Sequence, residues 1–295
     1  MNVIQSITVQ APAKVNLVLE LLRKREDGYH ELKLVFQAID LWDQISLQQR
    51  PEGVKFKVVE SPGPLAEDDS NIVVKAAKKF IDEVMGGEGG VAITLRKRIP
   101  LAAGLGGGSS DAAATLLGMD RLFQTGVFPE ELDAMAAELG SDVNFFLKGG
   151  TALGTGRGEV IHPWPETQSL DLVLVKPDAG LSTADVYRSG LCELTPGRLA
   201  EAMQGILQAG DKNKVGRALY NGMERAAFHL RPECFDIKME FIQAGALGSI
   251  VSGSGPTVFG LASSVDHARS LAQKLTKKGR KVFVTKTLPG GVRFS

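Results

Sequence analysis

Spacing suited to metal binding is what this sequence most lacks. Two cysteines, Cys192 and Cys234, occur in 295 residues, with no CxxC pair. That argues against a cysteine zinc site and against a disulfide-stapled extracellular scaffold; reduced thiols in a cytoplasmic protein are the expectation. The four histidines (His30, His162, His229 and His267) form no HxxxH pair, which disfavours a histidine-ligated metallohydrolase. No apolar run of about 18 residues exists, so no membrane helix is expected. The first residues carry no basic flank followed by an apolar core, so no secretory signal is expected either. Aromatics make up 6% of the chain, and 34 Lys plus Arg balance 34 Asp plus Glu. A chain without net charge and poor in aromatics does not have the basic, stacking surface of a nucleic-acid binder.

What is present is an ordinary globular composition, 43% hydrophobic, with 34 glycines. The first sixty residues read as strands. Apolar residues recur at 15, 17, 19 and 21, then at Leu32, Leu34, Phe36 and Ala38, and at Val54, Phe56 and Val58. This period of two marks strands, and Asp27-Gly28 is a turn between the first two. Asp69-Ser70-Asn71 offers an N-cap for a helix whose stripe is Val73, Ala76, Ala77, Phe80, Ile81 and Val84. Val91, Ile93 and Leu95 form another strand. After Gly149 the texture changes to a continuous apolar strand (Leu172–Val175), several helices, and a strand–turn–strand–helix–strand tail from Gly248 to Thr285. The chain is therefore expected to be α+β in two lobes, 1–160 and 161–295: first a mixed or antiparallel sheet, then an α/β sandwich.

The densest signal is Pro100-Leu101-Ala102-Ala103-Gly104-Leu105-Gly106-Gly107-Gly108-Ser109-Ser110, between a basic strand end and an alanine-rich helix that Ser109, Ser110 or Asp111 is expected to open. Glycines let backbone approach a ligand. A helix start offers free N–H groups and partial positive charge, so the combination suits phosphate. A plain capped loop needs one serine, not four glycines in five residues before two serines. The loop is not a Walker A, since no lysine follows the glycines, and it does not fit GxGxxG. Two weaker segments flank it: Pro12-Ala13-Lys14-Val15-Asn16-Leu17 with Asp27-Gly28-Tyr29-His30, and Ser252-Gly253-Ser254-Gly255-Pro256.

Taken together and in this order, the three segments resemble those of the GHMP kinases (galactose, homoserine, mevalonate and phosphomevalonate kinases). Ala11–Leu17, Asp27–Leu32 and Gly140-Ser141-Asp142-Val143-Asn144-Phe145-Phe146 are most similar to the branch acting on a cytidine diphospho-methylerythritol. The resemblance spans residues 11 to about 262. It implies a two-lobed kinase with ATP and Mg²⁺ as cofactors, a small-molecule alcohol as partner, and no obligate protein partner. Pro100 to Ser110 would hold ATP, and Asp142 and Lys14 would be catalytic. Asn16, Tyr29, His30, Thr183 and Tyr187 would hold the acceptor, with Tyr29 and Tyr187 stacking on its base and the ring or backbone of His30 reading its edge. Ser110 is the hydroxyl candidate for Mg²⁺. Another GHMP kinase, of homoserine or mevalonate type, is the alternative, followed by a non-catalytic nucleotide sensor of the same fold.

Overall fold

The computed structural model describes residues 5–295. The first half of the chain runs β1 (Ser6–Lys24), β2 (His30–Arg50), β3 (Gly53–Glu60), α1 (Ile72–Val84), β4 (Gly90–Arg96), α2 (Gly107–Phe123), α3 (Pro129–Leu139), α4 (Val143–Lys148), β5 (Thr151–Thr155) and β6 (Val160–Pro163). The second half runs β7 (Asp171–Pro177), α5 (Thr183–Arg188), α6 (Leu199–Gln208), α7 (Lys212–Ala218), β8 (Tyr220–Asn221), α8 (Glu224–Leu230), α9 (Glu233–Gln243), β9 (Gly248–Val251), β10 (Val258–Ala262), α10 (Val265–Leu275), β11 (Arg280–Lys286) and β12 (Arg293–Phe294).

Two sheets result. The larger is mixed, ordered β12-β1-β2-β4-β3, with β5 also on β2, β6 on β5 and β8 parallel on β1. The smaller is antiparallel, β11-β7-β10-β9. β8 and β12 come from the second half of the chain yet pair with β1, so the larger sheet draws on both halves. No described helix is long and apolar enough to cross a membrane.

The alternation expected for Val15 to Leu21 leads to burial on both faces, not one. Val9, Ala11, Leu19 and Leu21 enter the larger of two hydrophobic clusters, whereas Ala13, Val15, Leu17 and Val18 enter the smaller. The switch falls at two register shifts of β1 against β2, between Pro12 and Ala13 and between Asn16 and Val18. At the second shift β1 carries one unpaired residue, Leu17, and such a bulge transfers the following side chains to the opposite face; at the first the unpaired residues, Asp40 and Leu41, lie on β2. Between the shifts, the even-numbered Lys14 and Asn16 therefore take the face that Val9, Ala11, Leu19 and Leu21 take outside them. That face is packed by α2, whose Ala112, Ala113, Leu116 and Met119 belong to the same larger cluster. A central strand thus delivers a lysine and an asparagine beneath the helix that follows the glycine loop.

Candidate active site

Glycines bring the loop to its partners. Gly104 has φ +73°, and a Cβ there would lie 2.1 Å from the Ser252 carbonyl oxygen. Ser252 Oγ donates in return to the Gly104 carbonyl at 2.9 Å. Gly106 has φ +70°, and its Cβ would meet the Phe146 ring at 2.8 Å and Lys14 Cγ at 3.0 Å. Any side chain at either position would separate the loop from the C-terminal turn or from β1. The Lys14 N–H donates to the Leu105 carbonyl at 3.0 Å, closing the join between strand and loop.

Helix α2 starts at Gly107, with left-handed Gly106 as its N-cap, two residues before the serines expected to open it. The Ser110 N–H donates to the Gly106 carbonyl. The amides of Gly107, Gly108 and Ser109 come before the first intrahelical bond and remain free. Gly107 itself does not have positive φ. Its constraint is space, since a Cβ would lie 2.8 Å from Lys97 Nζ and 2.9 Å from the Ile99 side chain.

Lys97 belongs to a buried cluster that the sequence reading missed. Its ammonium bonds Asp43 and, at 2.6 Å, Asp111; Asp43 Oδ1 also accepts the N–H groups of Arg98 and Ile99. Side-chain exposure in this triad is 3% or less. Burial works to lower the Lys97 pKa, but Asp111 and Asp43 outweigh it and hold it above the usual lysine value. Burial pushes the Asp111 carboxyl up, Lys97 pulls it back, and the Asp43 charge adds to the rise. The triad ties β2, the strand end entering the loop and the first turn of α2 to one ammonium.

A cavity of about 780 Å³ opens over the loop. Lys14, Asn16, Tyr29, Asp142, Thr183, Tyr187 and every residue from Pro100 to Ser109 line it; His30 and Ser110 do not. Lys14 Nζ lies 3.5 Å from Asp142 Oδ2 and donates to Asn16 Oδ1 at 2.8 Å. Asp142 occupies the N-cap position of α4, but its side chain makes no capping bond. A helix-capping aspartate would accept an amide of the first turn; this one turns to the lysine instead. Asn16 Nδ2 is buried without a partner beside it.

Across the cavity, Thr183 Oγ1 and Ser254 Oγ are 2.8 Å apart, joining the start of α5 to the C-terminal turn. The ring of His30 is not directed into the cavity; it lies against Tyr187, with centroids 5.1 Å apart and planes at 16°. Burial, with Lys24 nearby, lowers the His30 pKa, so the ring is neutral near pH 7. Burial raises the Tyr187 pKa, with Cys192 and Asp142 adding, and keeps its phenol protonated. Arg157 also lines the cavity, its guanidinium 5.1 Å from the Tyr29 ring centroid. Nothing local in the sequence marks this arginine.

Magnesium can be tested against the donors present. Ser110 Oγ is buried without a partner, and the adjacent Asp111 gives Oδ2 to Lys97 while its Oδ1 is buried without a partner. No group of three His, Cys, Asp or Glu among the described residues could hold a metal. Ser110 is fully buried and outside the cavity lining, and the lining offers no carboxylate cage, so a magnesium ion there would be held chiefly by nucleotide phosphates.

Comparison with known proteins shows the family to which the chain belongs. Residues 71–150 match the GHMP kinases N terminal domain, and residues 200–281 match GHMP kinases C terminal. A 4-diphosphocytidyl-2-C-methyl-D-erythritol kinase of Pelotomaculum thermopropionicum is 42% identical over 95% of this chain and 98% of its own length. A crystal structure of 4-(cytidine 5'-diphospho)-2C-methyl-D-erythritol kinase superposes with a TM-score of 0.80 at 36% identity, covering 96% of this chain and 99% of that one. A homoserine kinase of Cytophaga hutchinsonii has a TM-score of 0.77 at 23% identity over 100% of this chain and 99% of its own, a likeness of fold alone.

Proposed function

The chain belongs to the GHMP kinases, in the family of 4-diphosphocytidyl-2-C-methyl-D-erythritol kinases, and from that membership we propose how its cavity performs the family's reaction. The reaction is ATP-dependent phosphorylation of the 2-hydroxyl of 4-diphosphocytidyl-2-C-methyl-D-erythritol, in the non-mevalonate route to isoprenoid precursors. The observation that carries the reading is the Lys14–Asp142 pair, 3.5 Å apart in the cavity that the glycine loop also lines.

The free amides of Gly107, Gly108 and Ser109, with the rest of Pro100 to Ser109, cradle the triphosphate, and Ser110, buried with its N–H on the Gly106 carbonyl, stands outside that cradle. Asp142 accepts the proton of the 2-hydroxyl as that oxygen bonds to the γ-phosphorus and the bond to the β-phosphate oxygen breaks. The proton ends on the aspartate and the electron pair on departing ADP. Lys14 holds the carboxylate in place and sets positive charge beside the transferring oxygens, where phosphoryl transfer needs it. The unpartnered amide of Asn16 donates to the acceptor. Mg²⁺, held chiefly by the nucleotide phosphates, would neutralise their charge; Ser110, whose buried Oγ would have to turn toward the loop, is the hydroxyl proposed for it. The lobe 161–295 contributes Thr183 and Tyr187 to the acceptor side, and 1–160 contributes Tyr29 and His30. Tyr29 and Tyr187 stack on the cytosine, and His30 backs Tyr187.

The test is phosphate transfer from ATP to the cytidine diphospho-methylerythritol compared with homoserine and mevalonate. Turnover with the first and at most traces with the others is expected; preference for homoserine or mevalonate would overturn the acceptor assignment. ATP binding without turnover on any of the three would favour the sensor reading.

A further inference from the structure

Tyr29 stands at the cavity rim with 56% of its surface exposed, a poor position for an aromatic wall unless something holds the ring. Its backbone is held by the turn. The Arg25 N–H donates to the Tyr29 carbonyl at 2.7 Å, and Asp27 Oδ1 accepts the Tyr29 N–H at 3.1 Å. Arg25 bonds Asp27 and Glu31, stiffening the same turn. None of these contacts restrains the ring. The Arg157 guanidinium, over the ring at 5.1 Å, does.

Arg157 is steered in turn. The Glu159 carboxylate accepts the Arg157 N–H at 2.6 Å and lies 3.5 Å from its Nε. A Cβ at Gly156 would lie 2.9 Å from that carboxylate, so the glycine leaves room for Glu159 to fold back. The two turns are joined side by side, the Leu32 N–H donating to the Gly156 carbonyl at 2.7 Å. The other two cations lining the cavity are committed elsewhere, Lys14 to Asp142 and Lys97 to Asp43 and Asp111. Tyr187, the second aromatic wall, is likewise backed on one face, by His30.

We propose that Arg157, oriented by Glu159, is a positioning residue that holds the Tyr29 ring as a preformed wall of the acceptor's base slot. The guanidinium covers one face of the ring and leaves the other to a pyrimidine. A cation over an aromatic face is attracted to the ring quadrupole. A ring already ordered loses less freedom when the base arrives. The inference rests on the reading of Tyr29 as an acceptor contact, so the experiment separates the two.

The experiment is a double-mutant cycle of Tyr29→Ala and Arg157→Ala, read as KM for the cytidine diphospho-acceptor, KM for ATP and kcat. Tyr29→Ala is expected to raise the acceptor KM about tenfold or more, within the range of base–aromatic stacking. Arg157→Ala should raise it about three- to fivefold, with kcat and the ATP KM unchanged, in keeping with an exposed cation–π contact. In the Tyr29→Ala background, Arg157→Ala should have no further effect, because the ring it orients is gone. An Arg157→Ala effect of full size in that background means direct contact with the acceptor and overturns the positioning role. An unchanged acceptor KM in Arg157→Ala, with Tyr29→Ala impaired, overturns it while sparing the base slot. If Tyr29→Ala changes nothing, the base-slot reading and the positioning role fall together.

Discussion

The two ends of the cavity, the loop end proposed to hold phosphate and the turn end proposed to hold the acceptor, are built by opposite means. The phosphate end is backbone and buried charge: loop amides, close-approach glycines, and the Asp43–Lys97–Asp111 triad with side-chain exposure of 3% or less. The acceptor end is side chain and turn: Tyr29 at 56% exposure, an arginine over it, a histidine stacked on Tyr187, and the six-residue α5. Phosphate is the same anion in every turnover, and amides fixed by packing need no reorganisation to meet it. On the proposed reading, selectivity is left to side chains on turns supported by a rigid frame, where exchange costs the fold little.

That contrast predicts a graded series of losses. The largest belongs to Asp142, where the two ends meet: Asp142→Asn should lower kcat by about 10²–10⁴-fold and leave ATP affinity nearly intact. Retention of more than about a tenth of the wild-type kcat would remove Asp142 from the base role. Next is Lys97→Met, which strands two buried carboxylates and should cost roughly 3–5 kcal/mol in urea unfolding. A loss below about 1 kcal/mol, the range of an exposed pair, would mean that the triad does not brace the loop. Tyr187→Ala should cost roughly 1–3 kcal/mol in acceptor binding and hardly move stability. The cytidine substrate and its uridine analogue should weaken alike, because stacking does not read the base edge. The smallest effect is expected for Glu159→Gln, about a twofold rise in acceptor KM through looser steering of Arg157. A change in the ATP KM there would cross the divide between the two ends.

The phosphate end was the more legible in sequence, because its signal is local. Glycines and serines between a strand and a helix stand together in the chain, and Gly104 to Ser109 do line the cavity. Even there the helix start was misplaced by two residues: Gly106 in the left-handed region starts α2 earlier than a serine cap would. The triad was invisible, since Asp43 lies on β2, Lys97 just beyond the end of β4 and Asp111 on α2. The face presented by Lys14 was hidden for another reason. Simple alternation puts it on one face of β1, and two register shifts that no residue pattern announces put it on the other. Asp142 reads locally as a helix cap, and its unused capping capacity is evident in three dimensions only. Arg157 had no local signal at all; its relevance comes from the turn beside Tyr29.

The division between a rigid phosphate end and a separate acceptor end is tested most directly by Gly107→Val, with binding of a non-hydrolysable ATP analogue and of the acceptor measured separately by calorimetry. A Cβ at Gly107 would press on Lys97 Nζ and Ile99, and valine adds two further carbons. The account predicts at least about a tenfold loss of nucleotide affinity, consistent with an overpacking cost of roughly 1–3 kcal/mol. Acceptor affinity and the circular dichroism of the fold should be unchanged. Full nucleotide affinity in this variant, or an equal loss for both ligands with the fold intact, would contradict it.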